Sequence, residues 1–439
     1  MCTLYCVRKP EEITKLILDF MYLVRSGRGR SVSFAFGEVG APHWARRFAT
    51  EFHIDETKAV IASLELRASG PSYLRKLPLD STRSLLVDFM TEHYSIIADE
   101  VLFNEFSESF LSVVSESSIK RLTLALSEST IFHPDKFLSL FPLVPIKVFD
   151  DFESDTFLLL GDKTLSSRHL GDSFRGMSLN PAQFPPDSNW EHRKWTVSAW
   201  LGVYSPAKEA AERLKAAVLG ALALAPASRN RYVCSMRSTF GGVCSFNNGT
   251  ISVTPSESPS MPPLMDDIHV TQADHRWLEI LASKLDSENK SDQREVKALE
   301  YFYRAWFQET PDRYPILYMA LDSVFGDAGS ATKSVIEGVR ELLGEQVSYS
   351  RLRDLSDLRS AVIHGGAPEI YDSKKYAKYY RNHNDDPITD LGLVTAECLR
   401  RKLFGEHLKE HRDRNREFIE DAISKGLAPA YKSSTILTG

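Results

Sequence analysis

The chain has 439 residues, a hydrophobic fraction of 43% and a formal net charge of −6. That length suggests two or three domains, with the composition of a soluble globular protein. The mildly negative balance excludes a bulk electrostatic binder of DNA or membrane, so any nucleic-acid contact must come from a local patch.

The N-terminus, MCTLYCVRKPEEITK, lacks a charged n-region leading into an apolar stretch, which predicts no signal peptide and a cytoplasmic protein. EEITKLILDFMYLV (11–24) reads as an amphipathic helix, because Ile13, Leu16, Ile17 and Phe20 fall on one stripe. SVSFAFGEV (31–39) alternates as a strand does, and so does AVIASLELRA (59–68). Residues 81–117 are helical in period. IKVFDDF and DTFLLLGD, after Pro145, read as strands joined by an acidic turn, and KWTVSAWLGVY (194–204) as another. A long helix follows over 206–224, with Pro206 at its first turn. Its apolar run AAVLGALALA (216–225) is half the length a bilayer requires and is expected to be a buried helix. Residues 231–254 read as one or two hairpins, with Gly-Gly and Asn-Asn-Gly at the turns.

TPSESPSMPPL (254–264) carries four prolines with serines between them and reads as a linker. The predicted organisation is an α+β region over 1–253, as one or two subdomains, a Pro/Ser-rich linker over 254–267, and an all-α domain over 268–439. In that last part strand signals vanish. Val296, Leu299, Phe302, Tyr303, Trp306 and Phe307 make a broad apolar face on a helix that Pro311 ends. Further helices are expected over 315–325, 331–343, 349–364 and from 390 to about 409. Short connections favour antiparallel neighbours, hence a bundle. Cys2, Cys6, Cys234, Cys244 and Cys398 are an odd set without a framework, which predicts reduced thiols, with neither a disulfide scaffold nor a zinc site.

Within the helical part, LRSAVIHGG (358–366) places Arg359 five positions before His364, directly ahead of two glycines. The spacing alone is weak, since arginine and histidine recur together elsewhere in the chain. The context is more specific. Leu352, Leu355, Leu358 and Val362 form the core-facing stripe, and Arg359 lies beside it. His364 ends the helix. There it serves either to cap the last carbonyls or to move protons near neutral pH. Five residues at roughly 100° each leave the two side chains about 140° apart on a regular helix. For both to meet one substrate, either the last turn unwinds or a second copy completes the site, which predicts a dimer.

The stretch DLSDLRSAVIHGG (354–366), in a helical region spanning about 271–409, resembles the HEPN superfamily (higher eukaryotes and prokaryotes nucleotide-binding), in its Apea-like branch. Arg359 and His364 match that family's Arg-x4-His pair, and Ser360 the polar position after the arginine. Asp322, in ALDSVFG, stands where the branch usually carries a glutamate. Ser356 departs from the pattern, since an aromatic residue is common there. The resemblance implies a HEPN-like bundle that dimerises through the same helices. It also implies a metal-independent endoribonuclease of an anti-phage or toxin-like system, answering to a phage-derived trigger or an antitoxin.

The chemistry can be stated from the residues alone. RNA carries its own nucleophile, the 2′-hydroxyl. A histidine moving protons contributes about 10²–10⁴-fold, and an arginine fork steadies the phosphate. The reaction requires neither metal nor cofactor. It leaves a 2′,3′-cyclic phosphate and a 5′-hydroxyl. P-loop, GxSxG, HExxH and zinc-deaminase signatures are absent from the sequence.

DSKKYAKYYRNH (372–383) adds a candidate RNA surface. Lys374, Lys375, Lys378 and Arg381 recur at helical spacing, and Tyr376, Tyr379 and Tyr380 interleave. Basic residues meet phosphates and tyrosines stack on bases. The competing reading is a solvated helix whose tyrosines pack on the bundle. Arg351 and Arg353 either guide tRNA or single-stranded RNA inward or are simply solvated or salt-bridged. As a whole, the alternative to an enzyme is a non-catalytic HEPN module that binds a nucleotide or dimerises, transmitting a signal from the N-terminal region.

Overall fold

The computed structural model describes residues 3–24, 29–38, 40, 42–102, 104, 106–165, 167–170, 179, 184, 197–247, 249–363, 369–411, 413–427 and 435–437. His364, Gly365 and Gly366 therefore lie outside the described residues. The chain forms two compact units: Met1–Lys136 with Ser205–Ala210, and Phe137–Tyr204 with Ala211–Gly439.

The first unit opens with helix α1 (Thr3–Phe20). Ile13, Ile17 and Phe20 are fully buried, as the stripe requires, and Leu16 packs partly buried beside them. Strands β1 (Met21–Tyr22), β2 (Gly29–Phe36) and β3 (Phe48–Asp55) form an antiparallel sheet in the order β1-β3-β2. The strand expected over 59–68 is instead part of helix α2 (Glu56–Ser69). Its residues satisfy both periods, and the local cap decides. The Asp55 carboxylate accepts from the backbone N–H groups of Thr57 and Lys58, and Ala59, Ala62, Ser63 and Leu66 then turn inward at spacings of three and four. The long helical period over 81–117 is broken. Helix α3 (Leu79–His93) and the short α4 (Ala98–Val101) are separated from α5 (Glu116–Glu128), which starts on a Ser115 cap. Phe34, Phe52, Tyr94 and Phe110 contact one another edge-on or stacked in the core between sheet and helices.

The second unit contains strands β4 (Phe137–Leu143), β5 (Ile146–Val148), β6 (Phe152–Glu153) and β7 (Phe157–Gly161), then the short α6 (Ser167–Leu170). Strand β8 (Ala199–Ser205), helix α7 (Lys208–Leu222), of which Lys208–Ala210 count with the first unit, and the hairpin β9 (Gly241–Asn247) and β10 (Thr250–Pro259) follow. Six strands pair in the order β10-β9-β4-β8-β7-β6. The sheet is covered on both faces. Phe141, Leu159, Leu201 and Val203 face the helices, while Leu140, Leu158, Leu160 and Trp200 form a separate core.

The expected linker is corrected here. Thr254 to Pro259 belong to β10, within the second unit, and the boundary between units falls at Lys136/Phe137. Strand β10 is an edge strand with a register shift between Thr254 and Pro259, and an edge or bulge is where proline's missing N–H is tolerated. Strand signals do not vanish after it either, since β11 (Ile268–Val270) pairs in parallel with β5.

The apolar run of α7 is buried throughout Ala217–Ala225. No described helix is long and apolar enough to cross a membrane. A Cβ at Gly220 would stand 2.1 Å from the Leu299 carbonyl oxygen, so glycine is what permits the close approach to the next helix layer. Past Leu222, buried Arg231 donates to the carbonyls of Ala223 and Pro226, and Arg400 donates to that of Leu224. Two guanidiniums thus satisfy carbonyls that the end of the helix leaves open.

The remainder is helical: α8 (His275–Asp286), α9 (Lys290–Trp306), α10 (Thr310–Phe325), α11 (Ala331–Leu343), α12 (Tyr349–Ile363), α13 (Lys374–His383), α14 (Pro387–Phe404) and α15 (Arg414–Ser424). Helices α8 and α15 were not anticipated. Helix α10 begins five residues before the expected Pro315, with Pro311 in its first turn. Asp386 caps α14 by accepting from Thr389 N at 2.9 Å, so that helix starts at Pro387 rather than 390. Helix α10 is central and packs against α9, α11, α12 and α14.

Candidate active site

Helix α12 buries Leu352, Leu355 and Leu358, which fixes the direction of every other side chain on it. Arg359 follows Leu358 and emerges at the edge of that buried stripe, where its side chain is 25% exposed. Its Nη2 donates to Asp322 Oδ2 on α10 at 2.9 Å. Its guanidinium carbon lies 5.1 Å from the centroid of the Tyr318 ring, one turn before Asp322 on the same helix. An acid in the last turn of a helix faces the negative end of the helix dipole, so Asp322 is a poor tenant there without a cation. Arg359 supplies one.

The pairing is incomplete. Arg359 Nε and Asp322 Oδ1 are buried without a hydrogen-bond partner among the described residues. Burial pushes the Asp322 carboxyl above its ordinary value, and Arg359 offsets only part of that rise. The sign of the consequence follows. A carboxyl that holds its proton more tightly in the folded state contributes stability at low pH and loses it as pH rises through the folded pKa. Asp322→Asn abolishes that loss. In urea unfolding at a series of pH values, the stability of the variant relative to wild type should therefore rise from acid toward neutral pH. A relative stability that falls instead would mean that the ion pair outweighs burial.

Two neighbours complete the surroundings. The Ser360 hydroxyl donates to the Ser356 carbonyl of its own helix at 3.2 Å, a local bond that leaves it no fixed role toward Arg359. Ser356 is buried, and its hydroxyl donates to Thr332 Oγ1 on α11 at 3.3 Å. Ser356 thus occupies a tight, polar contact between helices, which is why a small residue stands where an aromatic one was considered. Burial also pushes the Tyr318 hydroxyl up, opposed by nearby Ser356.

Of the candidate site residues, Arg359 and Asp322 are brought together, Ser360 is bound to its own helix, and His364 lies outside the described residues. Tyr318, beneath the guanidinium, was missed. Its only sequence signal is its position four residues before Asp322.

The candidate RNA surface divides, and two of its members are corrected. Arg351 is buried. Its Nε donates to Asp390 Oδ2 at 2.7 Å and to the Tyr379 hydroxyl at 3.1 Å, and its Nη2 to Asp385 at 3.0 Å. Tyr379 is fully buried and donates to the same Asp390. Neither is available to RNA, because together they neutralise a carboxylate with no exposure at all. Tyr376 is half-buried, with its hydroxyl on Asp386 at 2.8 Å. Lys378 pairs with Asp354 at 3.0 Å, which His383 also contacts at 3.0 Å. Burial raises the Asp354 carboxyl, but Lys378, His383 and Asn382 together hold it below its ordinary value. Lys375 donates to the Asp357 carbonyl and Arg381 to that of Ala377. Lys374, Tyr380 and Arg353 are exposed.

A cleft of about 1180 Å³ lies elsewhere in the unit, lined among others by Arg237, Asp267, His269, His407, Glu410 and His411. Two of its acids are paired with cations, Asp267 with Lys147 and Arg237, and Glu410 with Arg400. Among the described residues no group of His, Cys, Asp and Glu is arranged to hold a metal ion. Comparison of the chain with family models, curated proteins and solved structures finds no match.

Proposed function

We propose that the helical part of the second unit is a metal-independent endoribonuclease of the HEPN type, acting in the cytoplasm as a homodimer in anti-phage defence or a toxin-like system. One observation supports this above others. Arg359 is held by Asp322 through a single nitrogen, stays a quarter exposed, and lies on α12, whose last residue, Ile363, precedes His364 in the sequence. Such a guanidinium is oriented yet not saturated, which suits a phosphate that gains charge during reaction.

In this reading the RNA 2′-hydroxyl attacks the adjacent phosphorus, and the bond to the 5′-oxygen breaks. His364 moves the proton taken from the 2′-oxygen or the one given to the 5′-oxygen, and a second copy of the chain supplies the other imidazole. Arg359 neutralises the charge on the non-bridging oxygens. Lys374, Tyr380 and Arg353 remain exposed for contact with tRNA or single-stranded RNA.

One observation favours the competing reading, a non-catalytic HEPN module for nucleotide binding or dimerisation. The Arg359–Asp322 ion pair already engages part of the guanidinium. Incubating the purified chain with RNA in excess EDTA separates the two. The enzyme leaves fragments with 2′,3′-cyclic phosphate and 5′-hydroxyl ends, whereas the binding module leaves the RNA intact.

A further inference from the structure

We infer that the connection between β2 and β3 in the first unit is a docking surface for single-stranded RNA, with Trp44 as the stacking platform and Arg46 and Arg47 as phosphate contacts. Trp44 is 85% exposed, and the neighbouring Phe48 61%. Two large aromatic residues exposed four positions apart in one short segment are unusual for ordinary protein surface, where aromatic residues are mostly covered.

The segment from Pro42 to Phe48 is tied to the strands. Ala45 N donates to the Pro42 carbonyl at 2.8 Å and Arg47 N to that of Phe36 at 3.1 Å. The Phe48 ring stacks on buried Phe36 with centroids 5.6 Å apart, and Phe36 in turn meets the Tyr94 ring at 5.1 Å. A short 3₁₀ turn, His43–Ala45, carries Trp44 on this rooted frame. The indole is therefore presented outward by a structure anchored in the core.

The charge around it fits a polyanion. Between Phe36 and Phe48 the chain carries Arg46, Arg47 and His43 against one acid, Glu38. Neither arginine forms an ion pair among the described residues, and Arg46 is steadied only through a 3.3 Å bond to the Ala35 carbonyl. Beside them the outward face of β2 carries the small residues Ser31, Ser33 and Ala35, so the adjoining sheet surface is shallow, and its one acid opposite these residues is the exposed Glu51 of β3, paired with Ser33. An exposed indole followed two and three residues later by guanidiniums without ion pairs, beside a shallow face, matches bases that stack and phosphates that follow. A duplex hides its bases and cannot use the indole in this way.

This inference rests on RNA being the substrate proposed above, and its test separates the two. The probe is a short fluorescein-labelled 2′-O-methyl single-stranded RNA, which lacks the nucleophile and cannot be cut, followed by anisotropy with the full chain. Trp44→Ala should weaken binding by about tenfold, and Trp44→Phe should retain most of it. Arg46→Ala with Arg47→Ala should lower the slope of log affinity against log salt by about 1.4, or ~0.7 per lost phosphate contact. Unchanged affinity and slope in these variants overturn the inference. So does equal, Trp44-dependent binding of duplex RNA or of an acidic peptide. Cleavage of ordinary RNA by wild type is measured in parallel. Trp44-dependent binding without cleavage leaves the docking surface standing and overturns the enzyme, and cleavage with Trp44-independent binding does the reverse. A wild type that binds no RNA overturns both.

Discussion

If the chain cleaves RNA as proposed, Arg359→Ala should slow that cleavage by about 10²–10³-fold, the effect of removing one preorganised donor from a developing anion. The Arg359–Asp322 pair is a quarter exposed on the arginine side and 22% exposed on the aspartate side. That places it between exposed pairs, which contribute about 0–1 kcal/mol, and fully buried ones, whose breaking costs about 3–5 kcal/mol. The rates are therefore compared at a temperature where urea unfolding shows both proteins fully folded. Arg359→Lys does not restore the rate, because an ammonium cannot present the planar fork that Asp322 and the Tyr318 ring orient. Asp322→Asn costs less than Arg359→Ala, since the guanidinium keeps its charge and its contact with the ring. Cleavage by Arg359→Ala within a few-fold of wild type would remove Arg359 from the site.

Arg351→Met destabilises the second unit by about 3–5 kcal/mol, the cost of leaving a buried charge without its partner. Asp390 has no exposed surface, and its Oδ2 receives both Arg351 and Tyr379 while Oδ1 has no partner among the described residues. Burial pushes the Asp390 carboxyl up even with Tyr379 and Arg351 opposing it. Without Arg351 that rise goes unopposed by any cation, so the carboxyl takes up a proton on folding. By linkage the deficit of the variant is smallest in acid and grows as pH rises toward neutral. Arg351→Met combined with Asp390→Leu should recover most of the loss, because two apolar groups of similar volume replace the pair. Urea unfolding at acid and neutral pH checks all three statements. An Arg351→Met variant as stable as wild type at neutral pH would show that the cluster is not the buried ion pair described.

These two arginines, eight positions apart on one helix, show how far the sequence can be read. The leucine stripe of α12 is legible from its period, and so is the fact that Arg359 lies beside it. Arg351 is also off the stripe by period, where the sequence leaves open contact with RNA or a salt bridge. Its burial is decided by α13 and α14, which bring Tyr379, Asp385 and Asp390 to it from distant sequence. Side-chain period cannot show a partner on another helix. The same limit hid Tyr318 beneath Arg359.

Local misreadings have local causes. Residues 59–68 alternate well enough for a strand, but the Asp55 cap starts a helix whose inward residues are just as regular. The proline-rich stretch resembles a linker until its place at a sheet edge is known, where the missing N–H groups disturb no ladder. The exposed Trp44 drew no attention in sequence, because burial is the default reading of a tryptophan and only the fold shows it facing outward.

The measurement that bears most directly on the central claim compares wild type with His364→Ala, each incubated with tRNA and with a mixed-sequence single-stranded RNA in excess EDTA. Wild type should cleave both to cyclic-phosphate and 5′-hydroxyl ends, and the variant should do so about 10²–10⁴-fold more slowly. Equal cleavage by both proteins, or cleavage that EDTA abolishes, would contradict it.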